Sequence, residues 1–351
     1  MTDTWQHLCA GDLVEVRSKT EILATLDADG RLDGMPFMPE MLQYCGRRFR
    51  IHKRAHKTCD FVTNTGSRRL PGTVHLEDVR CDGSAHAGCQ AQCLIFWKEA
   101  WLKPADILTD LSTTHEEPVG RGQFHSERGG GCGEEALWNR TRAPRVDVGS
   151  EEIFVCQATL LPRFTEPLSP WDVRQYIEDY QSGNTGSLWW MIPRFLYRAY
   201  DNLINLGIGW GPVLRWFYDR FQSLLGGLPY PARHGTIPIG STTPSEIINL
   251  RPGELVRVKD LRTILGTLDE SSKNRGMAFS AEMAPYCGKT LRVHSRVERI
   301  IDEKSGRLIR MKNPCIVLEG GVCQARFNRG MIFCPRATYA YWREIWLERA
   351  P

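Results

Sequence analysis

Cysteine is the residue with the most chemistry to offer in this chain: there are twelve, and eight fall into two groups of four. Cys59, Cys81, Cys89 and Cys93 form the first group, the last three within CDGSAHAGCQAQC, a run that also holds His86. Cys287, Cys315, Cys323 and Cys334 form the second. A thiolate is a soft, charged ligand, and four of them close a tetrahedral cage around zinc, which then contributes folding energy directly. Each group is therefore a candidate metal site, for zinc first and iron second, although neither contains the C-x2-C pair of common zinc motifs. Buried free thiols, disulfides or a redox pair are the competing readings. Cys9, Cys132 and Cys156 have no partner by spacing, and Cys156, in the strand-like IFVCQATLL, reads as an interior residue before a nucleophile.

The elements that must position these thiols are repeated. A shift of 242 positions lays residues 11–81 on 253–323 without a gap, which chance does not produce over about seventy residues. GDLVEV falls on GELVRV, ILATLD on ILGTLD, and YCGRRFRIHKR on YCGKTLRVHSR. After Cys81 the second copy gains three residues, and the register resumes with Cys89 on Cys334 and FWKEAWL on YWREIWL. Only Cys45/Cys287, Cys81/Cys323 and Cys89/Cys334 are common to the copies; Cys59 faces Ile301, Cys315 faces Thr73 and Cys93 faces Thr338. Acids recur at Asp27/Asp269, Glu40/Glu282, Glu77/Glu319 and Glu99/Glu344. Turn and rim structure accounts for them, and no pair is singled out for acid–base work.

Within each copy short alternating apolar runs are broken by turn residues, the pattern of small β modules. DEKSGR (302–307) reads as a hairpin turn with Gly306 supplying the positive φ. The expected fold is mainly β with a helical insert (α+β), built on two homologous small SH3-like β-barrels in tandem, each closed so as to leave no sheet edge. The first module spans 1–103 and the second 252–351; a Gly/His/Arg-rich linker or loop (104–147), a strand plus aromatic helical insert (148–235) and an extended tether (236–251) lie between. The opening GDLVEV and GELVRV resemble the first strand of SH3-like barrels in translation and transcription factors and in the smaller subunit of nitrile hydratases. The longer phrases YCGRRFRIHKR and CQAQCLIFWKEAWL resemble those of a bacterial family with duplicated modules of this kind, which has no assigned activity to transfer.

In the insert, Ser169-Pro170-Trp171-Asp172 carries the signals of a helix start, a helix expected to run to about Gln181. Two further apolar helices follow within 188–225, interrupted by Arg194, Arg198, Asp201, Arg215, Asp219 and Arg220. Those charges exclude a membrane span, leaving a hairpin packed as core or, second, a pair lying in a membrane interface. His115 and His125 in the linker have no helical-spacing partner and stay unassigned.

Charged residues make up 25% of the chain and hydrophobic ones 42%, ordinary values for globular domains, and the net charge of +4 is too small to argue by itself for a nucleic-acid partner. The basic run Arg47, Arg48, Arg50, His52, Lys53, Arg54, His56, Lys57 is interleaved with acids of the same module and reads as a solvated face before an RNA surface. Met1 to Leu13 shows no basic stretch followed by an apolar core, so a cytoplasmic protein with reduced thiols is expected. No phosphate loop, nucleophile elbow or dinucleotide fingerprint is present. The sequence therefore points to a metal-binding tandem-module scaffold for a protein or peptide partner, with a metal-dependent enzyme carrying an open cysteine-ligated site as the alternative and nucleic-acid binding third.

Overall fold

A computed structural model describes residues 8–63, 66–105, 132–143, 152–207, 209–328 and 331–350. The expected linker histidines lie outside these residues. The chain is α+β, and its sheets are antiparallel. The first copy runs β1 (Leu13–Val16), α1 (Lys19–Thr25), β2 (Arg31–Leu32), β3 (Met35–Pro36), a 3-10 turn (Pro39–Tyr44), β4 (Arg48–Arg54), β5 (Lys57–Asp60), β6 (Gly66–Arg69), β7 (Thr73–Leu76), β8 (Trp97–Lys98), a second 3-10 turn (Glu99–Trp101) and β9 (Leu102–Pro104). The insert supplies α2 (Glu134–Arg140), β10 (Glu166–Leu168), α3 (Arg174–Gln181), α4 (Leu188–Ile204) and α5 (Gly211–Leu224). The second copy repeats the plan with β11 (Leu255–Val258), α6 (Leu261–Leu265), β12 (Lys273–Asn274), β13 (Met277–Ala278), a 3-10 turn (Ala281–Tyr286), β14 (Thr290–Ile301), β15 (Leu308–Val322), β16 (Tyr339–Trp342), a 3-10 turn (Glu344–Trp346) and β17 (Leu347–Arg349).

The duplication in sequence is a duplication in space. The sheet order β8-β7-β4-β1-β9 of the first copy is matched strand for strand by β16-β15-β14-β11-β17. Short helices at the same place are capped alike, Ser18 accepting from the Glu21 amide and Asp260 from the Thr263 amide. The indole of Trp101 donates to the Thr25 hydroxyl at 3.1 Å and that of Trp346 to Thr267 at 2.9 Å. Arg54 pairs with Glu99 at 2.8 Å and its counterpart Arg296 with Glu344 at 2.7 Å. Phe37 meets Trp97 edge-on as Phe279 meets Trp342.

Neither sheet closes, against the expectation of sealed barrels: among the described residues β8 and β9 end one sheet and β16 and β17 the other. These end strands have two to four residues, too short to present a long unpaired edge, so closure is not required to protect it. The copies also differ. The β14–β15 hairpin is continuous and turns at Gly306 with φ +72, as its sequence predicts. In the first copy the same chain splits at Ala55–His56, and its outer half, β5–β6, leaves to pair with β10 of the insert.

Two expectations for the insert change. Residues 152–161 form isolated bridges at Ile153 and Phe154 followed by a turn, not a strand, because they run between the two copies: Phe154 donates to the Gly306 carbonyl at 2.8 Å. The helix expected from Ser169 begins at Arg174, with Trp171 left 85% exposed ahead of it. The tether 236–251 carries no helix or strand and lies along the second copy, where the amides of Ile248, Asn249 and Leu250 donate to Glu344. Among the described residues no helix is long and apolar enough to cross a membrane.

Candidate metal centre

The loop between β7 and β8 is wound tightly enough to bring side chains inward. Cys81 donates its amide to the Cys93 carbonyl at 2.9 Å, and His86 and Gly88 both donate to the Gly83 carbonyl at 2.9 Å. Gly83 has φ +71, and a Cβ there would lie 2.1 Å from the Cys89 carbonyl oxygen, so only glycine fits. The result places His86 opposite Glu40, which the first 3-10 turn of the module projects into the same space. Both side chains are buried, 1% exposed each.

Glu40, Cys81 and His86 then converge. The Cys81 Sγ lies 3.1 Å from Glu40 Oε1, and His86 Nδ1 lies 2.9 Å from the same oxygen. The other ring nitrogen, Nε2, is 3.0 Å from the Val155 carbonyl, which can only accept, so Nε2 carries the proton. In the neutral ring Nδ1 turns a lone pair toward the carboxylate; in the protonated ring it forms an ion pair with it. That separation is an ion-pair distance, yet Nδ1 makes no directed hydrogen bond, and Glu40 Oε2 also lacks a partner. Buried polar atoms without partners are uncommon and point to a missing proton, water or ion. Among the described residues this is the one set of three or more His, Cys, Asp or Glu side chains whose ligand atoms all lie within 4.8 Å of one another.

A cavity of about 50 Å³ adjoins the three, lined also by Cys89, Cys93 and Cys156 and, from the second copy, Glu303 and Arg336. That is room for a few waters. Arg336 is buried, bonded through Nη2 to Glu303 at 2.6 Å, while its Nε and Glu303 Oε2 have no partner. Burial pushes the Cys93 thiol up to about 12 and that of Cys156 to about 11; burial and then the Glu40 carboxylate raise Cys81. A metal must displace such protons to bind, and without one these thiols are poor nucleophiles.

The eight cysteines singled out by sequence are distributed otherwise than in one cage per copy. Cys81, Cys89 and Cys93 share the cavity, joined by Cys156, which sequence had left as a plain interior residue. Cys59, on β5, points away from it and meets the second copy, in a cluster with Cys334, Cys323 and Met331. The Cys59 and Cys334 thiols share a hydrogen bond; Cys59 as donor holds its own proton more tightly and lowers that of Cys334. Cys287 packs against the second core with burial raising its thiol to about 12, and Cys315 accepts from Arg343 at 3.4 Å. No three sulfurs lie within 4.8 Å of one another among the described residues, so the expected all-sulfur cages are not formed; one sulfur, one imidazole and one carboxylate gather instead. Loops from the two copies face each other, and sequence rank within a copy says nothing of that.

The basic run of the first copy is taken up by partners. Arg48 pairs with Glu15 at 3.3 Å, Arg50 donates to the Gly11 carbonyl at 3.0 Å, and Lys57 is buried against Asp179. Comparison of the chain with family models, curated proteins and solved structures finds no match.

Proposed function

We propose that the chain is a metal-binding protein that holds one thiophilic divalent ion, zinc by its ligand chemistry, between Glu40, Cys81 and His86 of the first module, and that its twin modules form a scaffold for a protein or peptide partner. The carrying observation is the convergence of three ligand atoms that a single hydrogen bond cannot satisfy: His86 Nδ1 faces Glu40 Oε1 at 2.9 Å while its other nitrogen donates to a backbone carbonyl. A metal-bound histidine ordinarily donates its other ring N–H to a carbonyl or carboxylate in this way, which fixes the ring and its tautomer. Sulfur, imidazole and carboxylate together suit tetrahedral zinc, with iron(II) the next candidate. The strand order and the 3-10 turn before the last strand of each sheet support reading the modules as SH3-like, a type that presents loops to protein or peptide partners.

Elemental analysis of protein purified without chelator tests the site. The expectation is about one equivalent of zinc, lost in Cys81→Ser and His86→Ala and kept in Cys323→Ser. Wild-type protein that stays metal-free after loading, or Cys81→Ser that retains its metal, overturns the proposal and leaves a protonated His86–Glu40 ion pair.

A metal-dependent enzyme is the second reading, favoured by one observation: three ligands converge beside a cavity, leaving a fourth position of the kind catalytic zinc keeps for water or substrate. Cobalt(II)-loaded protein separates the two. A spectrum that changes on adding a small anion shows an exchangeable ligand and favours chemistry; a fixed spectrum favours a sealed, structural ion.

A further inference from the structure

Helices α4 and α5 pack on the body through one face and leave a second apolar face in solvent. On α4 the outward stripe is Trp189, Ile192, Leu196 and Leu203, spaced by three, four and seven residues; Trp189 is 80% exposed. Its inward stripe includes Asp201, 1% exposed. On α5 no residue is fully buried, and the outward stripe is Trp210, Val213, Phe217, Phe221 and Leu224. A helix covering a core places its apolar stripe inward. Apolar packing holds the inward face, Met191 against Ile332 and Phe333 and Tyr197 and Ile204 against Tyr230, with polar contacts beside it: Asp201 accepts from the Tyr230 hydroxyl and Arg198, and Asp219 from the Tyr230 amide and Arg233. The hairpin expected from sequence thus packs on the body through this inward face, and a second set of apolar side chains on both helices is left toward solvent.

We infer that this helix pair is a docking surface for a membrane, lying flat in the headgroup region of a bilayer rich in anionic lipid. The stripes run the length of helices of 17 and 14 residues, about 25 and 21 Å at 1.5 Å per residue, and neither crosses a membrane. Trp189, Trp190, Trp210 and Trp216 are all exposed, and tryptophan favours the boundary between headgroups and acyl chains. Charge decides the lipid: between 188 and 225 there are four arginines and two aspartates, a net charge of +2; Arg198 is paired with Asp201, Arg194 and Arg215 lie over the Phe333 and Tyr230 rings, and Arg220 is exposed on α5. That combination is the signature of interfacial helices on anionic bilayers. A second copy on the same face is disfavoured, since a two-fold contact would set Arg220 and its fellows against their equivalents.

Flotation of the full chain with vesicles tests this, using phosphatidylcholine alone and phosphatidylcholine mixed with phosphatidylserine. The protein is expected to float with the mixed vesicles, with a blue-shifted tryptophan emission, and to lose binding roughly tenfold or more in Leu196→Glu/Phe217→Glu. Arg220→Glu, which leaves the apolar stripe intact, is expected to weaken binding about fivefold. Absence of flotation with the mixed vesicles, equal flotation with both compositions, or a lipid-free dimer that Leu196→Glu/Phe217→Glu breaks each overturns the assignment.

Discussion

Glu40 and Glu282 hold the same place in two copies of one module, on the same 3-10 turn, and their surroundings have diverged. Glu282 is satisfied by backbone: the amides of Gln324, Phe327 and Asn328 all donate to its carboxylate. Glu40 meets instead the thiol of Cys81 and the Nδ1 of His86, and one of its oxygens has no partner. The loop explains the difference. At Gly83 the first copy turns sharply against Cys89; the aligned residue of the second copy, Ala325, also has positive φ, but three added residues carry that loop on a wider path over the glutamate. One carboxylate caps backbone amides, and the other is the proposed metal ligand. Duplication with a shared fold thus leaves the chemistry to be settled by one loop.

Acid should break the comparison most visibly, because the first copy alone carries buried neutral histidines. Burial pulls His75 down to about 3, His56 to about 3 and His52 to about 4, whereas the residues aligned with His75 and His56 are Val317 and Glu298. Below about pH 6.5 the unfolded chain binds protons that these folded sites refuse, so stability is full above 6.5 and falls as pH drops toward 4. His75 alone accounts for on the order of 3 kcal/mol by pH 4. Asp179, raised by burial to about 6, acts in the opposite sense between about 4 and 6 and offsets part of the loss. Amide exchange at pH 5 should show the first copy opening before the second; simultaneous opening would remove the distinction.

Gly83→Ala should be next in size, costing on the order of 3 kcal/mol in thermal unfolding because its Cβ meets the Cys89 carbonyl, and it should abolish metal uptake. Glu282→Ala should cost about 2 kcal/mol by leaving three part-buried amides without their acceptor, with metal content unchanged. Glu40→Gln, the mirror substitution, should change metal-free stability by less than about 1 kcal/mol, since it supplies a donor to His86 Nδ1, while removing the metal. If Glu40→Gln and Glu282→Ala behave alike in both readouts, the two sites have not diverged.

The repeat and its register were legible because an ungapped alignment over some seventy residues also aligns cores: the Trp101–Thr25 and Trp346–Thr267 pairs sit at matching positions. The candidate site was legible only in part. Cys81 and His86 stand in one short run, but Glu40 lies 41 residues before Cys81 and recurs in the second copy as Glu282, so its acid read as common scaffolding. The signal was the asymmetry: a histidine in one copy's loop where the other has none. The grouping of Cys59 with Cys334 was out of reach, since it depends on how the copies face each other. For α4 and α5 the helical period shows two apolar faces and not which one turns inward; the partners that decide it, Tyr230, Ile332 and Phe333, lie far along the chain.

The cavity beside the three ligands takes two of its walls from Glu303 and Arg336. A ribosome delivers Glu40, Cys81 and His86 long before either arrives, so a growing chain has its donors while the chamber still stands open to solvent. On the proposed metal site, an ion would be captured before the chamber is sealed, and a protein cut short before Arg336 would leave that ion within reach of any competing chelator.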